Sequence, residues 1–212
     1  MLTLTVDEKV HHENLTELYK YIDWNTGHFR HFTDKAGVEH YKLLSYLVKQ
    51  FPQQTIIGDI GSASGHSAIA LTANPNVAVI SYDIMDHFAR FADEHKGKLT
   101  MKDHPRVYFR LANCLEPSEL TIIKNLPFLF LDIDPHDGIQ EINIISELVK
   151  VGFGGIIVCD DIHLNAQMDN WWSVKMPSFF PQLKRVDLTK YGHWSGTGAI
   201  VFDSSKYDIV IT

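Results

Sequence analysis

Two cysteines in 212 residues, Cys114 and Cys159, are too few to frame a disulfide scaffold. They read as reduced, buried thiols, which sets an expectation of a cytoplasmic protein. A basic excess is also missing. Nineteen Lys and Arg stand against 26 Asp and Glu, leaving a formal charge of −7. That balance argues against a phosphate-binding surface and so against nucleic acid as a partner. No apolar run approaches the ~20 residues that span a bilayer, so no membrane is expected. The opening stretch MLTLTVDEKVHHENL lacks the apolar core of a signal peptide. Blocks of like charge, low-complexity tracts and internal repeats are absent as well. Histidine, by contrast, is frequent at 12, but scattered; only His11 and His12 are adjacent, and most read as surface or packing residues.

What is present is a 45% hydrophobic chain of a length that suits one domain. Residues 1–36 read as an irregular N-terminal segment with a short helix near Asn14–Tyr21, and 37–212 as the folded domain. Val38, Tyr41, Leu44, Leu47 and Val48 have helical spacing, stopped by Pro52. Strand-like and helix-like stretches then alternate: TIIGDIG, HSAIALTAN, VAVISYDI, HFARFADEHKGKLT, RVYFRLANCL, PFLFLDID, an amphipathic helix through Ile139–Val149, and GGIIVCDD. AQMDNWWSVKMPSFF reads as a helix up to Pro177, and LKRVDLTKYG with TGAIVFD as a closing strand pair. Near-continuous apolar strands separated by helices imply a mostly parallel sheet covered on both faces. Ligands in such sheets sit at the carboxyl ends of the strands. There the sequence puts Asp59–Gly61, Asp83, Asn113, Asp132 and Asp160–Asp161.

The stretch DIGSASGHS, Asp59 to Ser67, leaves a strand and enters a helix. Gly61 permits a sharp turn and Gly65 a close approach. The helix beyond offers free N–H groups. The spacing Asp-x-Gly-x-x-x-Gly is neither a dinucleotide Gly-x-Gly-x-x-Gly nor a P-loop. Asp83 ends the next strand, where an acid can accept both hydroxyls of a ribose.

Asp59-x-Gly61-x-x-x-Gly65, Asp83 and Asn113 together resemble the cofactor motifs of class I S-adenosylmethionine-dependent methyltransferases. The resemblance covers about Thr55 to Asp203. It implies a Rossmann-like α/β fold, with a mostly parallel seven-stranded sheet, helices on both faces and an antiparallel C-terminal strand. It makes 37–212 the cofactor-binding domain and 1–36 a candidate lid. The cofactor set it implies is Asp59, Gly61, Ser62, Ala63, Gly65, Ser67, Asp83, Asn113 and Asp132.

If the strands ending at Asp132 and at Asp160–Asp161 are neighbours, three carboxylates converge. They repel one another unless a positive charge sits between them. A hard divalent ion, Mg2+ first among them, would remove the conflict. This arrangement resembles the metal-dependent O-methyltransferases of the catechol, caffeoyl-CoA and macrolide-sugar types. The resemblance implies Asp132, Asp160 and Asp161 as metal ligands and a small hydroxylated substrate, a sugar or a phenol. In the catechol type a lysine stands three residues after the first metal Asp; here that position is Pro135. His136 is therefore the first candidate for the base that takes the hydroxyl proton, and His163 the second.

Either Asp134 or Asp137 is expected to cap the following helix. Trp171, Trp172 and Trp194 could line an aromatic wall, but packing against one end of the sheet is favoured. NTGHFRHF, Asn25 to Phe32, is the candidate lid, with Arg30 positioned for an acidic substrate. A homodimer is compatible with all of this. Two other readings remain at this point: an NAD(P)-dependent oxidoreductase on a related sheet, and a non-catalytic domain that keeps the fold for binding.

Overall fold

In the computed structural model, residues 1–25, 27, 29–52 and 54–212 are described, with the side chain of Phe29 left aside. The centre is a seven-stranded sheet. In chain order its strands are β2 (Thr55–Ile60), β3 (Val77–Asp83), β4 (Val107–Leu111), β5 (Phe128–Leu131), β6 (Ile156–Asp160), β7 (Lys184–Asp187) and β8 (Thr197–Val201). Across the sheet they run β4-β3-β2-β5-β6-β8-β7. The pairs from β4 to β6 are parallel, while β8 is antiparallel to both β6 and β7. The expected fold, with its antiparallel C-terminal strand, is therefore present. The strand order reverses between β2 and β5, which opens a crevice beyond their carboxyl ends.

Alternation along each strand splits the core in two. Ile57, Phe128, Phe130, Ile156 and Val158 belong to one buried layer, with Leu43, Leu44, Leu47 and Val48 of α1 (Tyr41–Val48) and with α2 (His66–Leu71). Ile60, Leu129, Leu131, Ile157 and Cys159 belong to the other. That second layer also contains residues of α4 (Pro117–Ile123), α5 (Gln140–Val151) and α6 (Ala166–Asn170). Burial on both faces explains why these strands read as unbroken apolar runs. Both cysteines are buried and free. Among the described residues no helix is long and apolar enough to cross a membrane.

Several local expectations shift. Residues 2–6 are not irregular: β1 (Leu2–Val6) pairs in parallel with β9 (Tyr207–Ile211), joining the two ends of the chain. Asn14–Tyr21 forms a 3-10 turn over Thr16–Tyr21. The stretch after β3 is helical only in α3 (His87–Arg90), capped by Asp86. Its later part runs in turns through Gly97, whose φ is +75°. The helix through the tryptophans continues past Pro177. α6 passes through a wide turn at Trp171–Lys175 into α7 (Met176–Phe179), where Pro177 lies in the first turn and its missing N–H costs nothing.

Candidate functional site

The glycine loop follows β2 and lies at the crevice. Gly61 has φ +88°, and a Cβ there would sit 1.6 Å from the Asp132 carbonyl oxygen, so only glycine fits between the two strand ends. Gly65 has φ +79°, with Met101 filling the space a side chain would need. The Gly61 and Ser62 amides donate to the Tyr82 carbonyl at 2.9 and 3.1 Å. Asp83 fastens the loop from the next strand: Oδ2 accepts the Ala63 amide and Oδ1 the Met85 amide, each at 2.8 Å. Each carboxylate oxygen has a second lone pair left for a ligand hydroxyl. The Ser62 hydroxyl is buried in this loop with no hydrogen-bond partner.

Asp59 lies beneath the loop with no exposed surface. Burial raises its carboxyl from 3.8 to about 6, against the pull of the Ser81 and Ser67 hydroxyls; Ser81 donates at 2.6 Å. Asn113 stands past β4, exposed, with Oδ1 accepting the Leu115 amide at 3.0 Å. The N-terminal segment reaches this half as well. Asn25 Nδ2 donates to Ser64 Oγ at 3.1 Å, and buried Trp24 packs 5.6 Å from the Phe88 ring. Thr26 and His28 of the candidate lid lie outside the described residues, and Arg30 is exposed.

The carboxylates converge as expected, but they are not alone. β5 and β6 are direct neighbours, which brings Asp132 together with Asp160 and Asp161. Asp160 closes β6 on the face covered by α1. Just before α1 stand Glu39 and His40; from the turn before β8 come His193 and Ser195. His40 Nδ1 lies 3.2 Å from Asp160 Oδ2 and 3.1 Å from Glu39 Oε1. His193 Nδ1 lies 3.4 Å from Asp160 Oδ2 and 3.3 Å from Asp161 Oδ1. Thr197 Oγ1 donates to Asp160 Oδ1 at 3.3 Å, and Ser195 Oγ donates to Asp161. His136 Nε2 is 3.5 Å from Asp161 Oδ2 and 4.0 Å from Asp132 Oδ1.

Charge is distributed unevenly in this cluster. Burial would keep His40 neutral, but the charges of Asp160 and Glu39 outweigh it and lift the ring to about 9. His193 is lifted to about 10, again against burial, by its bonds to Asp160 and Asp161. Burial would raise Asp160, yet these two imidazoles hold it below the usual carboxylate range. Asp132 has weaker support, the His40 charge alone pulling it down. Burial, then the neighbouring Asp160 charge, push its carboxyl well above the usual range, although 34% of its side-chain surface stays open. It is the carboxylate in the group whose positive neighbours do not offset burial and the Asp160 charge.

Backbone strain collects in the same place. Four described non-glycine residues have positive φ, and three of them are Ala63, His136 and Asp161. Such conformations cost about 1–3 kcal/mol each and persist where surrounding structure enforces them, often at functional sites.

Other expected residues lie elsewhere. His163 is engaged on both ring nitrogens, by Asp169 at 2.6 Å and Asp187 at 3.0 Å. It is not among the donors that lie within 4.8 Å of one another. Neither Asp134 nor Asp137 stands at the N-cap of α5, which is Ile139; Asp137 Oδ1 accepts the Ile139 and Gln140 amides in the turn that leads into it. Trp171 and Trp172 belong to the core, while Trp194 is 67% exposed, its ring centroid 5.6 Å from that of His193.

No family model matches the chain, and no curated protein is similar to it in sequence. Solved structures are similar in fold. A methyltransferase of Podospora anserina with S-adenosylhomocysteine bound aligns over 90% of this chain and 88% of its own, at 15% identity and a TM-score of 0.60. An O-methyltransferase of Bacillus cereus in complex with S-adenosylhomocysteine aligns over 76% and 80%, at 18% identity and a TM-score of 0.51. The O-methyltransferase TomG of Streptomyces achromogenes, involved in tomaymycin synthesis and solved with S-adenosylmethionine, aligns over 77% and 79%, at 16% identity and a TM-score of 0.52. The chain has the fold of class I S-adenosylmethionine-dependent methyltransferases.

Proposed function

We propose that the protein is an S-adenosylmethionine-dependent O-methyltransferase that methylates a hydroxyl of a small molecule, a sugar or a phenol, with help from a divalent cation. One observation carries the reading: Gly61, which turns the glycine loop, lies against the backbone of Asp132, the carboxylate pushed furthest above its usual range. The methyl-donor loop and the acidic group thus meet at one point of the crevice.

The residues fit both groups. The unpartnered Ser62 hydroxyl and the remaining lone pairs of Asp83 suit a nucleoside. Asp132, Asp160 and Asp161 suit a cation, since the Asp160 and Asp161 charges push Asp132 up further than the nearby imidazole pulls it down. S-adenosylmethionine supplies, when bound, a methyl group already activated on sulfonium. A divalent ion supplies charge that lowers the pKa of a hydroxyl and fixes its position. The protein's own residues orient and accept. Asp83 and the Ser62 hydroxyl hold the nucleoside so that the acceptor oxygen has one line of approach. His136, whose ring faces Asp132 and Asp161, is the group placed to take the hydroxyl proton.

Thermal melting with S-adenosylhomocysteine, with and without Mg2+ and then EDTA, tests the reading. Binding to the native state alone raises the midpoint. The expected result is a rise with the nucleoside that grows with the ion and reverses with chelator, followed by methyl transfer to catechol or sugar acceptors. A rise indifferent to metal removes the cation from the proposal. No rise with the nucleoside, but one with NAD, moves the glycine loop to nicotinamide chemistry.

A further inference from the structure

His40 is anomalous within the cluster. It is 3% exposed, and neither ring nitrogen has an aligned hydrogen-bond partner. Buried polar groups nearly always have one, because leaving a donor or acceptor unmet in the interior is costly. Its neighbours do not supply it. Asp160 and Glu39 are close to Nδ1 but off-line, and the ring is clamped by Phe130, Tyr41 and His193 at centroid distances of 4.9, 4.4 and 5.7 Å. His40, Asp132 and Asp160 each present a donor atom, and the three lie within 4.8 Å of one another. The group therefore holds a buried imidazole with neither nitrogen in an aligned hydrogen bond, and two carboxylates within reach of it whose positive neighbours leave Asp132 well above the usual range.

We propose that the cation of this cluster is held through nitrogen as well as oxygen: His40 joins Asp132 and Asp160 as a ligand, so the site takes a borderline transition-metal ion of the Mn2+ to Zn2+ series ahead of Mg2+. This deepens the methyltransferase reading and rests on it for the role of the ion, though not for its binding. Mg2+ prefers oxygen donors in a near-ideal octahedron and parts with water reluctantly. Imidazole nitrogen favours Fe2+, Co2+, Ni2+ and Zn2+, and affinity at a mixed site rises from Mn2+ through Co2+ to Cu2+ and falls again at Zn2+. A metal ion and a proton compete for the same ring nitrogen, so binding releases protons. His193 has another part. Its Nδ1 is already 2.7 Å from Ser195 Oγ and bridges Asp160 and Asp161, which orients the acids from behind. His193 is a positioning residue.

The test uses the full chain, stripped with EDTA and dialysed. Mg2+ and Co2+ are titrated by calorimetry. Mn2+ serves as the probe for pulsed EPR on protein carrying 15N-histidine. The expected result is one ion per chain, Co2+ at least about tenfold tighter than Mg2+, and a directly bonded histidine nitrogen seen from Mn2+. That coupling disappears in His40→Gln, which keeps Mg2+ but loses the preference for Co2+. It persists in His193→Gln, whose affinity falls by about 10–100-fold as for an outer-shell partner. Nitrogen coupling that survives in His40→Gln overturns the assignment. So does Mg2+ binding as tightly as Co2+ with no nitrogen coupling, or a wild-type chain that binds none of the three ions. Should His40→Gln misfold, His136→Gln decides between the two rings near Asp132: coupling that persists there keeps His40, and coupling that disappears overturns it. Calorimetry with S-adenosylhomocysteine on the same samples separates the two proposals. Nucleoside binding without a nitrogen-bound ion keeps the methyltransferase and removes His40, whereas a nitrogen-bound ion without nucleoside binding does the reverse.

Discussion

The two halves of the site are built in different ways. The glycine-loop half is local and made mostly of backbone: Gly61 to Gly65, tied to Asp83 through main-chain amides. The acid–histidine half is assembled from four distant segments, at 39–40, 132–136, 160–161 and 193–197, and made of charged side chains. In the first half one acid serves amides and needs no counter-ion. In the second, acids and imidazoles hold one another in a balance that burial makes costly to break. A binding loop can be recruited by a few residues in sequence, whereas a charge-balanced centre depends on the whole topology.

The largest effect should come where the halves touch. Gly61→Ala puts a methyl group 1.6 Å from the Asp132 carbonyl oxygen at a φ of +88°. Main chain, not a flexible side chain, is the obstacle, so β2 and β5 must part. We expect a loss of about 3 kcal/mol or more in urea unfolding, with S-adenosylhomocysteine and cation binding lost together. If only one of them is lost, the halves are less connected than their contact implies.

Next is the hub of the second half. Asp160→Ala removes the anion shared by His40 and His193, both protonated at neutral pH by the shifts given above. Breaking a buried pair from one side costs about 3–5 kcal/mol. The cost should shrink as pH rises through about 9 to 10, where the two rings lose their charge. Melting of the variant against wild type, from pH 7 upward, reads this directly. A pH-independent difference means that Asp160 stabilises by packing rather than charge.

The same contrast governs what the sequence disclosed. The loop, Asp83 and the sheet were legible because each lies within one strand–turn–helix unit with local turn chemistry. Asp132, Asp160 and Asp161 were legible as strand-end acids, and their convergence needed only the adjacency of β5 and β6. Glu39 and His40 were not. Strand alternation says that Asp160 points away from Cys159, to the face that Val158 also shares. Nothing local says that α1 covers that face, or that the turn before β8 brings His193 across it. Scattered histidines look like surface residues until topology gathers them. β1 was missed because its partner, β9, lies two hundred residues away. The chain's helices were overread between Arg90 and Thr100, where short apolar spacing was not matched by packing.

Asp59 offers a smaller effect of opposite sign, in the first half. Its carboxyl, raised to about 6 by burial, holds a proton that the unfolded chain gives up near 3.8. Such a group stabilises below the unfolded value, and the contribution is lost as pH rises through 6. At pH 8 the folded chain carries a buried charge served by hydroxyls alone. Asp59→Asn should then raise stability by about 1–3 kcal/mol, and the gain should vanish below pH ~4. Paired melts at pH 8 and pH 4 decide it. A loss at pH 8 would mean that the Ser81 and Ser67 bonds matter more than the charge.

The smallest change in stability is expected at Trp194, yet it sharpens the comparison most on the substrate side. The ring is 67% exposed beside His193, the positioning residue of the second half. Trp171 and Trp172, by contrast, are 0% and 6% exposed and belong to the core. A large apolar ring left mostly exposed beside a polar cluster buries little in the folded chain, so Trp194→Ala should move the unfolding free energy by no more than about 0.5 kcal/mol. If a flat acceptor stacks there, the lost contact is worth about 0.5–1.5 kcal/mol, which is a rise in KM of about 2–12-fold with kcat unchanged. A fall in kcat with KM intact would instead make Trp194 a support for His193 and leave the acceptor to be held by the acid half alone.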